Sequence, residues 1–240
     1  MNQRLSLTIL SGLLGLTLLT AWPQAQAEVP TPPCEKFEDC LRQTLKSTVP
    51  LERALYASQG IQLWTKSIPQ RDLYNLMMLR ADALIQMNLA TANDSLLDQA
   101  ANDYSHMLEL RAGDYLPQTG LARIAELRGQ FPQAEQYFAA AIQTGDFLAY
   151  LERADYWLRR QDAAQSLADL ESALKIVAEL QARERDIHPQ HLIHLHQLRA
   201  RTLQAMQRGD EAIVDIRAAC SVGDKAACKQ ARRYERWAFF

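Results

Sequence analysis

The stretch Leu121-Ala122-Arg123-Ile124-Ala125, followed by Gly129 and then by Ala134-Glu135-Gln136-Tyr137-Phe138-Ala139-Ala140-Ala141, decides how this chain is read. Two runs of helical period flank a glycine, and small residues stand where two helices would have to approach closely. The same small and large positions return elsewhere in the chain at nearly constant spacing. Each such unit is a pair of helices that cannot bury its apolar face alone, so stacked neighbours supply one another's core. A chain of this kind works through a surface rather than a catalytic pocket.

Working outward, the second helix of each unit carries a small residue, a large apolar residue four later and another residue three after that. The sets are Ala100-Tyr104-Met107, Ala134-Phe138-Ala141, Ser166-Leu170-Ala173 and Ala212-Ile216-Ala219. Spacings of three and four keep each set on one helix face. The preceding helices contribute Ala81 and Leu84, Ala122 and Ala125, Ala154 and Trp157, and Ala200 and Leu203. From small residue to small residue the distance is 12 in three units, 122 to 134, 154 to 166 and 200 to 212, and 19 in the first, 81 to 100. The extra residues coincide with the polar stretch Asn88 to Asp94, which predicts a longer loop inside that unit, with Asn93-Asp94-Ser95 suited to capping the next helix. Second helices follow one another at 34, 32 and 46 residues (100, 134, 166, 212), so the last gap holds an insertion. Ser166 through Arg185 contains no breaker, which predicts a second helix that overruns by a couple of turns before Pro189.

The ends read differently. Arg4, the apolar run Leu5 to Leu19 and the small-x-small site Ala25-Gln26-Ala27 have the form of a signal peptide over 1–27, with a mature chain expected to begin at Glu28. The run holds Ser, Thr and Gly and is too short and polar for a comfortable membrane span. No cysteine adjoins the cleavage site for lipid attachment, so the expectation is a soluble periplasmic protein. Residues 28–33, with Pro30, Pro32 and Pro33, form a flexible lead-in. Helical spacing then covers Glu35 to Ser47 and Leu51 to Lys66, separated by Pro50. Without Arg4 the chain has 25 basic and 28 acidic residues, a net charge of −3 with the signs interspersed, which gives no electrostatic case for nucleic acid.

The spacings resemble those of the tetratricopeptide repeat family, with its Leu-small-x-x-aromatic first helix and Ala-x-x-x-aromatic-x-x-Ala second helix. The resemblance covers roughly Leu73 to Ala219 and is closest over 115–145. This sequence departs from the pattern in lacking a proline after each second helix and in placing Arg153 and Arg199 where leucine is usual. The resemblance implies an all-α solenoid with a right-handed superhelix in a single domain over 34–240. It comprises a hairpin at 34–66, repeats at about 73–111, 115–145, 147–185 and 190–221, and a capping helix at 224–237. It also implies a concave groove lined by first helices, toward which helical spacing projects Asn75, Met78, Asp82, Arg123, Glu126, Asp155, Arg159 and Arg201. Such a groove suits a protein or peptide partner, with Arg123, Arg159 and Arg201 as partners for carboxylates. The competing arrangement is ion pairing between repeats, such as Arg123 with Asp155. The expected role is a non-catalytic scaffold without a cofactor.

Four cysteines fall in two close pairs, Cys34 with Cys40 and Cys220 with Cys228, one pair at each end. In an exported protein they suggest two disulfides; three connectivities exist, and only the two local bridges spare an open array from joining its ends. Cys220 and Cys228 flank Val222-Gly223-Asp224, which reads as a helix stop and a cap, an arrangement that resembles cysteine-stapled hairpins of exported bacterial repeat proteins. Neither pair has the two-residue spacing of a redox or zinc motif.

His188, His191, His194 and His196 lie within nine residues. His191 and His194 share a helix face and could chelate a borderline metal with His188, the basis of an alternative reading as a metal-binding or metal-delivery protein. No carboxylate or cysteine completes a familiar spacing around them. Asp98/Asp103, Asp169/Glu171 and Ser105-His106 are not specific as catalytic sets. The end carries Lys225, Lys229, Arg232, Arg233 and Arg236 before Trp237-Ala238-Phe239-Phe240, a capping helix whose aromatic tail is expected to pack back on the last repeat.

Overall fold

The computed structural model describes residues 33–237, with side chains to Tyr234. The expected signal peptide, all but the last residue of the lead-in, and the aromatic tail from the Trp237 side chain onward lie outside the described residues. Among these there are eleven helices and no strand. They are α1 Phe37–Lys46, α2 Pro50–Leu63, α3 Gln70–Thr91, α4 Asp94–Leu110, α5 Tyr115–Leu127, α6 Phe131–Ile142, α7 Phe147–Arg159, α8 Ala163–Ala182, α9 Pro189–Ala205, α10 Gly209–Ser221 and α11 Lys225–Trp237.

Each odd-numbered helix packs on the even one that follows, and each even one on the next odd, so the chain is a row of helical hairpins closed by α11 against α10. The small residues sit at the hairpin contacts: Ala81 and Ala100, Ala122 and Ala134, Ala154 and Ser166, and Ala200 and Ala212 are all buried. Their missing bulk lets backbones approach while the large residue one turn on, Tyr104, Phe138, Leu170 or Ile216, fills the space beside them. Ser166 keeps its hydroxyl satisfied by sharing a 2.9 Å hydrogen bond with Thr202 of α9.

Turns repeat as well. Gly113-Asp114, Gly145-Asp146 and Gly223-Asp224 precede α5, α7 and α11; each glycine has positive φ (87°, 77°, 108°), and each aspartate accepts from the N–H two residues on, Leu116, Leu148 and Ala226. Before α9 the turn has no Gly-Asp. His188 takes the cap position there, and its Nδ1 accepts from the Gln190 N–H at 3.3 Å.

Two expectations need correction. The polar stretch Asn88 to Asp94 is not a long loop: α3 runs on to Thr91, Ala92 turns at φ 52°, and Asn93 caps α4 through Ser95 N–H at 3.1 Å. The extra residues lengthen both helices of the hairpin instead, because Leu84, Ile85 and Leu97 continue the buried face. Pro50 does not separate helices but opens α2, where its missing N–H costs nothing. The overrun of α8 is observed: it extends to Ala182, and Val177 and Leu180 pack with Ile187 and Leu192 around the start of α9.

The arginines that departed from the repeat pattern have a structural cause. Arg80, Arg153 and Arg199 each stand one residue before the small residue of a first helix, and Asp103, Asp169 and Asp215 each stand three after the small residue of the paired second helix. Arg153 grips Asp169 through Nε and Nη2 at 2.8 and 2.6 Å, Arg80 grips Asp103 in the same two-pronged way, and Arg199 reaches Asp215 at 3.2 Å, where His196 Nδ1 shares the oxygen at 2.9 Å. All three carboxylates are buried, while the arginine side chains remain 22–24% exposed. The α5–α6 hairpin has Leu121 and Tyr137 in the same two places. Two disulfides, Cys34–Cys40 and Cys220–Cys228, with Cα separations of 5.3 and 4.6 Å, tie the first helix to the strand of chain before it and α10 to α11.

Asp169→Ala leaves Arg153 facing a buried gap and is expected to cost about 2–3 kcal/mol. The double change Arg153→Leu with Asp169→Tyr, which copies the α5–α6 hairpin, is expected to recover more than half of that loss in urea melts. Cys220→Ser with Cys228→Ser removes a bridge worth about 2.5 kcal/mol in the chain-entropy model. Limited proteolysis should then cut first within α11, while α1 to α9 survive.

Candidate functional site

The first helices α5, α7 and α9 pack directly on one another, as do α1 and α3, whereas α3 and α5 are not so joined. The space between them is a cleft of about 330 Å³, lined by α3 (Met78, Asp82, Ile85, Gln86), Tyr104 of α4, the first turns of α5 and Glu152 of α7. Its floor rests on one contact. Tyr104 lies across Gly120, where a Cβ would come within 2.3 Å of the phenol ring, and its hydroxyl donates to Asp82 Oδ1 at 2.9 Å. Only glycine on α5 leaves room for that ring. Tyr74 does the corresponding work at the edge, donating to Asp114 Oδ2 at 2.7 Å while Asp114 caps α5, with Arg111 stacked 4.5 Å above the Tyr74 ring.

Of the residues expected along a groove, Met78, Asp82 and Arg123 line this cleft. Asn75 is half-buried on α3 and stays outside it. Glu126, Asp155, Arg159 and Arg201 continue the same face as a ladder of ion pairs across α5, α7 and α9. Arg159 bonds both oxygens of Glu126 at 2.9 Å and also bonds Asp155; Arg123 Nη1 adds a 2.6 Å bond to Glu126, and Arg201 lies 3.8 Å from Asp155. The pairing between repeats is thus Arg159 with Glu126 rather than Arg123 with Asp155. Burial alone would raise the Glu126 carboxyl, but the Arg159 and Arg123 guanidiniums outweigh it and hold it below the usual carboxylate range. Arg201 also borders a smaller cleft of about 210 Å³ between α9, α10 and α11.

Two carboxylates behave in the opposite way. Asp82 and Glu152 are exposed at the cleft mouth, with side chains of α3, α4, α5 and α7 lining the cleft around them. Enclosure pushes Asp82 upward, against the Tyr104 hydrogen bond and the Arg53 charge. Enclosure also pushes Glu152 upward, helped by Asp155 and Asp82 and opposed by Arg159 and Arg123. Among the described residues, no hydrogen-bond donor or cation is within bonding distance of Glu152. Enclosure and the Asp82 charge raise the Tyr104 phenol far above its ordinary value. Sequence reasoning passed over Glu152, although it lies three before Asp155 and seven before Arg159 on one face of α7. It also missed Tyr104, assigned only to the core, and Gly120, which helix propensity marks as merely costly.

The histidines are not gathered around a point. His188 caps α9, its ring 5.6 Å from that of His191; His191 packs its edge on Phe147 at 6.2 Å; His194 is exposed; and His196 belongs to the Asp215 cluster. Among the described residues, no group of three or more His, Cys, Asp or Glu side chains is placed to hold a metal ion. Nor is any described helix long and apolar enough to cross a membrane.

Because Glu152 is harder to ionise in the folded chain than in the unfolded one, the fold binds the extra proton, and stability from this group falls as pH rises from about 4 through the raised value. Glu152→Gln is therefore expected to melt above the wild type at pH 7. The difference should close near pH 4, as differential scanning calorimetry across that window would show.

No protein-family model matches the sequence, and no curated protein matches it. Solved structures do. A tetratricopeptide repeat protein from Parabacteroides merdae superposes with a TM-score of 0.57 at 19% identity, covering 81% of this chain and 68% of that one. BtubC (BKLC) from P. vanneervenii gives 0.51 at 16% identity, covering 81% of this chain and 91% of that one. Shared helices at so little identity establish architecture: the chain has a tetratricopeptide-repeat-like all-α fold.

Proposed function

We propose that this protein is a non-catalytic scaffold of the bacterial periplasm that binds a protein or peptide partner along the face formed by α3, α5, α7 and α9. The observation that carries this reading is the cleft between α3 and α5, where Met78, Asp82, Arg123 and Glu152 converge on the side of the hairpins that the first helices share. Repeat arrays use that side for recognition because successive first helices present an extended row of side chains. Two local disulfides support an oxidising compartment, and the amino-terminal sequence has the form of an export signal. Tyrosines, a methionine and unequal charges suit a peptide chain, which offers apolar and polar groups in alternation.

A photo-crosslinking amino acid at Met78 or Gln86, in cells producing the full chain, is expected to give a discrete adduct. The same amino acid at Glu171 or Lys175 on α8 is expected to give none. Equal labelling of both faces, or no adduct at Met78 and Gln86, would rule out this groove as the binding surface.

A further inference from the structure

The structure assigns a specific chemistry to the partner: we infer that the α3–α5–α7 cleft receives a lysine or arginine side chain of the bound peptide, its cationic end held by Asp82 and Glu152. This rests on the groove being the binding surface. The sequence suggested the reverse, arginines seeking a partner's carboxylates. The structure shows why that does not follow. Arg159 and Arg123 are bonded to Glu126, and Arg159 and Arg201 stand beside Asp155, so each of these guanidiniums already has a carboxylate within the protein. What is left without a bonded cation is negative: Asp82 accepts only from the Tyr104 hydroxyl, with Arg53 near but not bonded to it, and Glu152, near Arg159 and Arg123, is bonded to neither among the described residues.

The nearby arginines are bonded elsewhere than to these two carboxylates. Arg53, nearest to Asp82 from α2, donates its guanidinium to the Ser47 carbonyl at 2.7 and 3.2 Å, and Arg123 in the cleft wall is bonded to Glu126. With Arg159 and Arg201 these make four guanidiniums against the four carboxylates Asp82, Glu152, Glu126 and Asp155, so the preference of the cleft is set by which of them are bonded and not by the total. A cation entering the cleft would meet two carboxylates to which, among the described residues, no guanidinium is bonded, whereas an anion would have to displace Glu126 from two guanidiniums. Shape agrees with charge. About 330 Å³ exceeds the room one long side chain needs, and Met78, Ile85 and the Tyr104 and Tyr115 rings supply apolar and aromatic wall for its methylenes.

The test uses the full chain and four pools of fluorescent nonapeptides, degenerate except for a central Lys, Arg, Glu or Leu, read by fluorescence anisotropy. The Lys and Arg pools are expected to bind on the order of 10-fold tighter than the Glu pool. Asp82→Asn with Glu152→Gln should reduce that ratio to within about 2-fold while melting no lower than the wild type at pH 7, so that unfolding does not explain the loss. A Glu or Leu pool that binds as tightly as Lys, or a preference that survives in the double variant, overturns the inference. If adducts still form at Met78 in that case, the groove remains the binding surface and only its charge preference is wrong. Failure of every pool to bind, together with no adduct, removes both.

Discussion

Everything in this chain depends on how closely two helices of a hairpin can approach, and that distance is fixed by alanine. Ala81, Ala100, Ala122, Ala134, Ala154, Ala200 and Ala212 are buried where partners cross, and the next large side chain closes the gap one turn away. A contact made by small residues is permissive in register, because alanine on alanine can slide. The bonds between Arg80 and Asp103, Arg153 and Asp169, and Arg199 and Asp215 remove that freedom. A guanidinium on a planar fork accepts a carboxylate in few orientations, so each pair selects one alignment of its hairpin. Burying an ion pair does not by itself favour folding. A geometric constraint on register is what such pairs add beyond stability, and the α5–α6 hairpin does without one. There Leu121 and Tyr137 stand in place of the ion pair, and Phe138 of α6 packs its ring on Tyr156 of α7 with centroids 5.1 Å apart.

Fixed hairpins leave the first helices as the surface on which function can vary. Between α5, α7 and α9 the ion-pair ladder draws successive first helices together. Between α3 and α5, Tyr104 occupies the position of that ladder and holds an opening, possible only because Gly120 carries no side chain. The cleft is therefore built by an intrusion from the second-helix layer, not by a loop. That is an economical way to make a pocket in an all-helical protein, since no backbone polar group loses its partner.

The periodic features were legible in the sequence. Spacings of 12 residues, the small-large faces, the overrun of α8 and the two cysteine pairs each correspond to something in the structure, because each is a local consequence of helix geometry. The extension of α3 was not, since polarity at Asn88 to Asp94 reads as loop while the opposite face still carries Leu84, Ile85 and Leu97. Asn88 is itself buried and donates to the Asn93 carbonyl at 3.0 Å, so a residue that looked like a breaker ties the end of the helix. The arginine–aspartate pairs had a sequence signal, an offset of one residue before and three after the small positions, but it appears only once the two helices are aligned against each other. The cleft had none. Glu152 and Gly120 occupy equivalent positions of consecutive units, two residues before Ala154 and Ala122, and what each does depends on Tyr104 arriving from a helix that precedes both.

Charge decides what the cleft can hold, and here the whole-groove sum is misleading. Counting Asp82, Glu126, Glu152 and Asp155 against Arg53, Arg123, Arg159 and Arg201 gives a neutral groove, which would favour neither sign. The pairs are not evenly placed. Three guanidiniums gather about two carboxylates on α5, α7 and α9, and the two remaining carboxylates face the opening. An entering group first meets Asp82 and Glu152, to which no guanidinium is bonded among the described residues, while Arg123 and Arg159 are held by Glu126. Asp82 and Glu152 both stay exposed at the mouth of the cleft, where an entering side chain can reach them. A basic side chain entering there would relieve two like charges at once, and the unpaired ionisation that costs the empty protein stability becomes the source of its selectivity.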